Sequence, residues 1–100
     1  MVRTIIAAGT TLLMEAADVE LFDPETGAYA DLTAPDTINF VVKNAVTGAT
    51  VSTIAGNQQG STNTYNAQYT FSATGTFTWQ ASITEGSVTL VTRAYLVKVE

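Results

Sequence analysis

The run from Thr64 to Ile83, TYNAQYTFSATGTFTWQASI, most constrains the fold, because two segments of alternating character flank Ala73-Thr74-Gly75. Successive side chains of a β-strand point to opposite faces of the sheet. One face of each expected strand is therefore apolar, with Tyr65, Ala67, Tyr69 and Phe71 on the first and Phe77, Trp79, Ala81 and Ile83 on the second. Five of the nine aromatic residues lie on these faces. We expect two strands at the centre of a single β-sandwich core.

The rest of the chain is also typical of strands separated by turn residues. Asp36 to Asn44 places Ile38, Phe40 and Val42 on one face, and the segments 28–33 and 49–55 are shorter strands. Residues 56–63 are polar and glycine-punctuated, which favours a solvated loop. About seven strands at intervals of roughly 8–12 residues are the pattern of an immunoglobulin-like β-sandwich.

Two segments are harder to interpret. Residues 11–22 fit a helical stripe of Leu13, Ala17 and Leu21. They also fit a strand with one face formed by Leu13, Glu15, Ala17, Val19 and Leu21, all apolar except Glu15. We favour the strand, with a stop at Asp23-Pro24-Glu25-Thr26-Gly27. Residues 88–99 form a long last strand. Its apolar residues change phase near Thr92-Arg93, which indicates a bulge.

Composition limits both size and chemistry. One hundred residues, 46% of them apolar, describe one domain. We assign residues 1–8 to an N-terminal arm or first strand and residues 9–100 to the sandwich. Cysteine and histidine are absent, which excludes disulfides, cysteine-based metal sites and the commonest general base. We expect no enzymatic activity, no catalytic residues and no cofactor.

The formal charge of −5 arises from nine acidic residues against four basic ones. Four scattered cations cannot form the basic surface that nucleic acid requires, so we expect no nucleic-acid partner. No stretch approaches the ~20 apolar residues of a membrane helix, so we expect no membrane partner either. Seven acidic residues lie within residues 15–36, and one end of the fold should carry most of the negative potential.

The acidic stretch and the aromatic residues contain the candidate binding residues. Asp18, Glu20, Asp23 and Glu25 are hard oxygen ligands of the kind that calcium binds, but they lack the EF-hand order. We favour a role in solvating a strand end and capping a turn, which leaves no assigned metal site; calcium binding is the alternative. A second alternative is an aromatic platform for sugars formed by Trp79 with Tyr65, Tyr69 and Phe77, but their strict alternation favours a packed core.

The N-terminal segment Met1 to Ala8 supports one hypothesis about assembly. Its sequence TIIAA is extended and apolar, and such a segment can add to the sheet edge of a neighbouring copy through main-chain hydrogen bonds. The alternative is that it forms the first strand of its own domain.

Several segments together resemble a known group of proteins. They are Asp23-Pro24, Gly27-Ala28-Tyr29, PDTINFVV from Pro35 to Val42, Thr47-Gly48, YNAQYTF from Tyr65 to Phe71 and GTFTW from Gly75 to Trp79. In these, over about residues 9–99, the chain resembles the small immunoglobulin-like structural proteins of tailed bacteriophages. It departs from their usual pattern in the acidic stretch before Pro35, which leaves its position in the particle open.

The resemblance implies a non-enzymatic, multicopy virion protein, assembled in the host cytoplasm. Its partners would be other phage structural proteins, namely the major capsid protein or neck and tail proteins, with possible self-association. We expect a capsid decoration protein; a neck or tail component is the first alternative. An extracellular bacterial adhesin or carbohydrate-binding module is the second, and would need an exposed aromatic platform or a calcium site.

Overall fold

The computed structural model describes residues 3–17, 20–23, 27–31, 35–60, 64–86 and 88–100, with backbone alone for Arg3, Val88 and residues 20–23 and 28–31. All regular structure within these ranges is β-strand. The strands are β1 (Arg3–Ile6), β2 (Thr10–Ala16), β3 (Glu20–Asp23), β4 (Ala28–Asp31), β5 (Thr37–Asn44), β6 (Thr50–Ala55), β7 (Asn57–Gln58), β8 (Tyr65–Phe71), β9 (Gly75–Glu85), β10 (Val88–Val91) and β11 (Tyr95–Val99).

The described strands form two main sheets and one hairpin. The larger sheet has the order β1-β11-β9-β5-β6, with β10 beside β9; the smaller has the order β2-β8-β7, and β3 pairs with β4. The order β11-β9-β5-β6 corresponds to strands G, F, C and C′ of a variable-type immunoglobulin domain, and β2 and β8 correspond to B and E. The predicted all-β sandwich is therefore confirmed, and the order of its described strands is the one expected of an immunoglobulin-like fold.

The central prediction of two alternating aromatic strands is also confirmed. Tyr65 and Phe71 on β8 and Phe77, Trp79 and Ile83 on β9 are buried. The two strands belong to different sheets, so the chain crosses the sandwich at residues 72–74 and the aromatic faces meet across it. They share one apolar cluster with Met14, Ala16, Phe40, Val42, Ala67, Ala81, Val97 and Val99.

The described residues of the segment 11–22 form two strands, β2 and β3, so strand is the correct prediction and the helix alternative is wrong. The predicted phase is wrong in β2. Met14 and Ala16 are buried, whereas Leu13 is 52% exposed. The register against β8 sets this phase, since Met14 lies opposite the inward residue Ala67. A shift of one residue turns every side chain to the other face. Glu15 was the residue that could have indicated the correct phase. It lies on the same face as Leu13, and because burying a carboxylate is unfavourable, that face is expected to be exposed.

The predicted stop at Asp23 is confirmed, because β3 ends at Asp23 and β4 begins at Ala28; residues 24–26 lie outside the described residues. The predicted phase change in the last strand is also present. Before the break, the even-numbered residue Leu90 packs against the core; after it, the odd-numbered residues Val97 and Val99 are buried. Between β10 and β11, the Thr92 hydroxyl accepts a hydrogen bond from the Ala81 amide at 3.0 Å. A side chain therefore replaces a backbone acceptor at the break.

Eleven described strands exceed the predicted seven because long segments are broken and one strand lies in a predicted loop. That strand, β7, follows Gly56, whose amide donates to the Ile38 carbonyl at 2.8 Å. A Cβ atom on Gly56 would lie 2.6 Å from Ile38 Cγ2 and 2.7 Å from Phe40 Cε1. Glycine is needed here for close approach to β5, a role that the loop prediction missed.

The N-terminal segment pairs within its own chain. β1 runs parallel to β11, with Arg3 opposite Leu96 and Ile6 opposite Val99. Ile6 packs against the core, and Ile5 is 52% exposed. Exchange of this strand with a neighbouring copy stays a prediction.

Candidate interaction surface

Three short loops meet at one end of the sandwich and contain no charged residue. We call this surface the alanine end and define it by residues 7–9 (AAG), 45–49 (AVTGA) and 72–74 (SAT). All of these residues are exposed. The strand registers bring the loops together, since Ile6 lies opposite Val99 and Val99 lies opposite Gly75.

Backbone hydrogen bonds tie these loops to the strand ends. The amide of Ala8 donates to the Glu100 carbonyl at 3.1 Å, and the amide of Gly9 donates to the Phe71 carbonyl at 2.7 Å. The amide of Ala45 donates to the Thr76 carbonyl at 2.9 Å. The alanine end is therefore a preorganised surface, which lowers the entropy lost when a partner binds.

Val46 is the most exposed large apolar side chain that the structure describes, at 85%. Its turn is held by the Asn44 side chain, whose Oδ1 accepts from the amides of Val46 at 2.9 Å and Thr47 at 3.2 Å. The amide of Gly48, with φ of 76°, donates to the Asn44 carbonyl at 2.8 Å. The sequence thus builds a rigid turn that presents an apolar side chain to solvent.

The three loops themselves carry no charge, but an ion pair lies beside them. Lys98 on β11 and Glu100, the residue after β11, form an exposed pair, with Nζ and Oε1 3.5 Å apart. A partner that contacts only the loops need not bury this pair. Depletion of charged residues is characteristic of the buried centre of protein interfaces.

The opposite end of the sandwich is acidic, and we call it the acidic end. Glu15 lies near the end of β2, and Asp36 precedes β5. Asp36 Oδ2 accepts a hydrogen bond from the Gly86 amide at 2.7 Å, next to Glu85. Residues 17–35, which connect β2 to Asp36 and include the hairpin β3-β4, contain five more acidic residues.

The candidate calcium ligands fall largely outside what the structure describes. Asp18 and Glu25 lie outside the described residues, and only the backbone of Glu20 and Asp23 is described, within β3. The described residues contain no group of three acidic side chains placed to hold a metal ion. Calcium binding at this stretch stays a prediction.

The aromatic residues considered for a sugar platform are packed in the core. Trp79 is 7% exposed and Tyr65 is fully buried. Trp79 stacks on Tyr95 with ring centroids 4.4 Å apart, and the Arg93 guanidinium lies 5.3 Å from the centroid of Tyr95. These contacts fill the inner face with rings, and the platform interpretation is wrong for Trp79 and Tyr65.

Comparison with known proteins gives no match to a family model, a curated protein or a solved structure. The stretches of chain with described coordinates contain no helix of the length and apolar character needed to cross a bilayer.

The alanine end was not predicted from the sequence. Its three loops are 38 and 27 positions apart in sequence (7 to 45, 45 to 72), and only the strand pairing makes them neighbours. The available signal was that these loops are short, uncharged and rich in alanine, whereas the segment between β2 and β5 carries six acidic residues.

Proposed function

We propose that this chain is a non-enzymatic structural protein of a tailed-bacteriophage particle, a multicopy capsid decoration protein that contacts the shell through the alanine end. The resemblance over residues 9–99 supports the class of protein. The single observation that supports the binding surface is the rigid, uncharged turn that exposes Val46.

The physical argument concerns the cost of removing each surface from water. Burying the alanine end removes methyl groups and short loops from solvent, with no charged group to desolvate. Apolar burial is worth roughly 25 cal/mol per Å², so each copy is held in proportion to the apolar area of the alanine end that the shell covers. The acidic end would then face away from the shell and keep the particle surface negative and soluble.

Quantitative mass spectrometry of purified particles tests the class of function. A decoration protein is expected at a copy number comparable to that of the major capsid protein. A single ring of copies supports the alternative of a neck or tail component. Absence from the particle overturns the virion assignment.

Paired substitutions test the surface. Val46→Asp places a charge on the alanine end, and we expect it to weaken particle binding at least about tenfold, the effect of ~1.4 kcal/mol. Val91→Asp is the matched control, because Val91 is 56% exposed on β10, away from both ends, and should bind as the wild type does. Equal binding by both folded variants contradicts the surface assignment without affecting the copy-number result.

A further inference from the structure

The free edge of β2 is the longest regular sheet edge that the structure describes. β2 lies at the end of the order β2-β8-β7 and pairs over all seven residues with β8, without a register shift. The other outer strands are shorter or irregular: β1, β3, β4 and β10 have four residues each, β7 has two, and β6 pairs across a register shift at Val42/Lys43. Proteins usually protect edges by shortness, bulges, proline or charged side chains, above all lysine, and of these β2 has only the single charge of Glu15.

The side chains of β2 suit a second strand alongside it. Leu13, at 52% exposure, is the only large apolar side chain on a face otherwise formed by Thr11, Glu15 and the outward residues of β8. On the inner face, Leu12 packs against the core but is only partly buried. The smaller sheet has three strands, whereas the larger has six. A further strand beside β2 would extend the smaller sheet and cover more of the core.

We propose that this position is filled by β2 of a second copy, antiparallel, with the two Leu13 residues opposite each other at a twofold axis. In this register Thr11 of each copy lies opposite Glu15 of the other, and Leu12 lies opposite Met14. The only charge on each strand faces a hydroxyl, and the two exposed leucines cover each other. A shift of two residues in each strand would instead oppose the two Glu15 carboxylates, which is unfavourable.

A second copy fits this edge better than an unrelated strand, because the sequence of β2 is complementary to itself about Leu13. Such a contact is isologous and closes as a dimer. Its area is small, and two chains of charge −5 repel each other. The dimer is therefore weak in dilute low-salt solution and strengthens as salt screens the repulsion. This inference rests on the edge strand and not on the virion assignment.

Variants with one introduced cysteine test the register of the proposed β2–β2 pair, because the chain has no cysteine of its own. Leu13→Cys should form a disulfide-linked dimer on mild oxidation, since Cα atoms of directly opposed residues lie within disulfide range. Thr11→Cys and Glu15→Cys should cross-link with each other in a mixture, but neither should cross-link alone. Val51→Cys, at a 46% exposed site on β6, is the matched control. Cross-linking of Leu13→Cys no faster than that of Val51→Cys overturns the proposal.

Sedimentation of the cysteine-free chain at high concentration provides the second measurement. We expect a monomer–dimer equilibrium that Leu13→Lys weakens at least about tenfold, with an unchanged folded monomer because the side chain is exposed. A dimer that survives Leu13→Lys but is lost when residues 1–6 are deleted identifies exchange of β1 instead. Either that result or a purely monomeric wild type at high salt contradicts pairing through β2.

Discussion

The two ends of the sandwich differ in the length and charge of the segments that connect their strands. At the alanine end, loops of three to five uncharged residues are tied to strand ends by backbone hydrogen bonds. At the acidic end, the segment between β2 and β5 is long and carries six acidic residues, and Asp36 Oδ2 accepts a hydrogen bond from the amide of Gly86. A short uncharged loop makes a stiff surface that is inexpensive to desolvate, whereas a charged connection favours water. The comparison separates a surface suited to contact from one suited to solvent.

The largest expected effect comes from the core that joins the two ends. Trp79→Ala should lower the free energy of unfolding by about 3–5 kcal/mol, because Trp79 packs against Phe40 and Tyr95. Both ends should be lost in one cooperative transition. Chemical denaturation followed by circular dichroism measures this change. Thr78→Ala, on the outer face of the same strand, is the control and should stay near the wild type.

Two glycines distinguish packing from backbone conformation. Gly56→Ala, next to the acidic end, should cost about 2–3 kcal/mol, because the new Cβ would overlap Ile38 and Phe40. Gly48→Ala, at the alanine end, has open space around it but a φ of +76°, and should cost about 1 kcal/mol. Urea denaturation compares the two variants. A larger loss of stability for Gly48→Ala than for Gly56→Ala would show that lack of room for a Cβ atom is not the reason why position 56 requires glycine.

Two cap substitutions should each loosen one end alone. Asn44→Ala removes the acceptor for the amides of Val46 and Thr47, and Asp36→Ala removes the acceptor for Gly86. Each should cost about 0.5–1.5 kcal/mol, the usual contribution of such hydrogen bonds. Amide hydrogen exchange should quicken at residues 46–47 in the first variant and at residue 86 in the second. Faster exchange at both ends in either variant would contradict their independence.

The smallest effect is expected at the ion pair beside the alanine end. Lys98→Met should change stability by no more than about 0.5 kcal/mol, because Lys98 and Glu100 are 48% and 60% exposed and solvent screens the pair. Thermal unfolding at low and moderate salt provides the measurement. A loss that is much larger and depends on salt would show that charge contributes to the stability of this end.

Alternation of side chains was sufficient to predict the sandwich, since β5, β8 and β9 each have one consistently apolar face. It failed on β2, where Leu12, Leu13 and Met14 offer an apolar residue in either phase and only pairing with β8 decides. It also missed Gly56, because close approach to Phe40 is a property of the packed fold. The alanine end could not be predicted, since its loops are brought together by pairing between distant strands.

Thiol labelling of assembled particles tests the central claim most directly. Val46→Cys places a single thiol on the alanine end, and Thr37→Cys places one at an exposed position near the acidic end. Both should react readily in the free protein. In the particle, we expect Val46→Cys to lose most of its reactivity while Thr37→Cys keeps it. Retained reactivity of Val46→Cys together with protection of Thr37→Cys would show that the acidic end is the surface that binds.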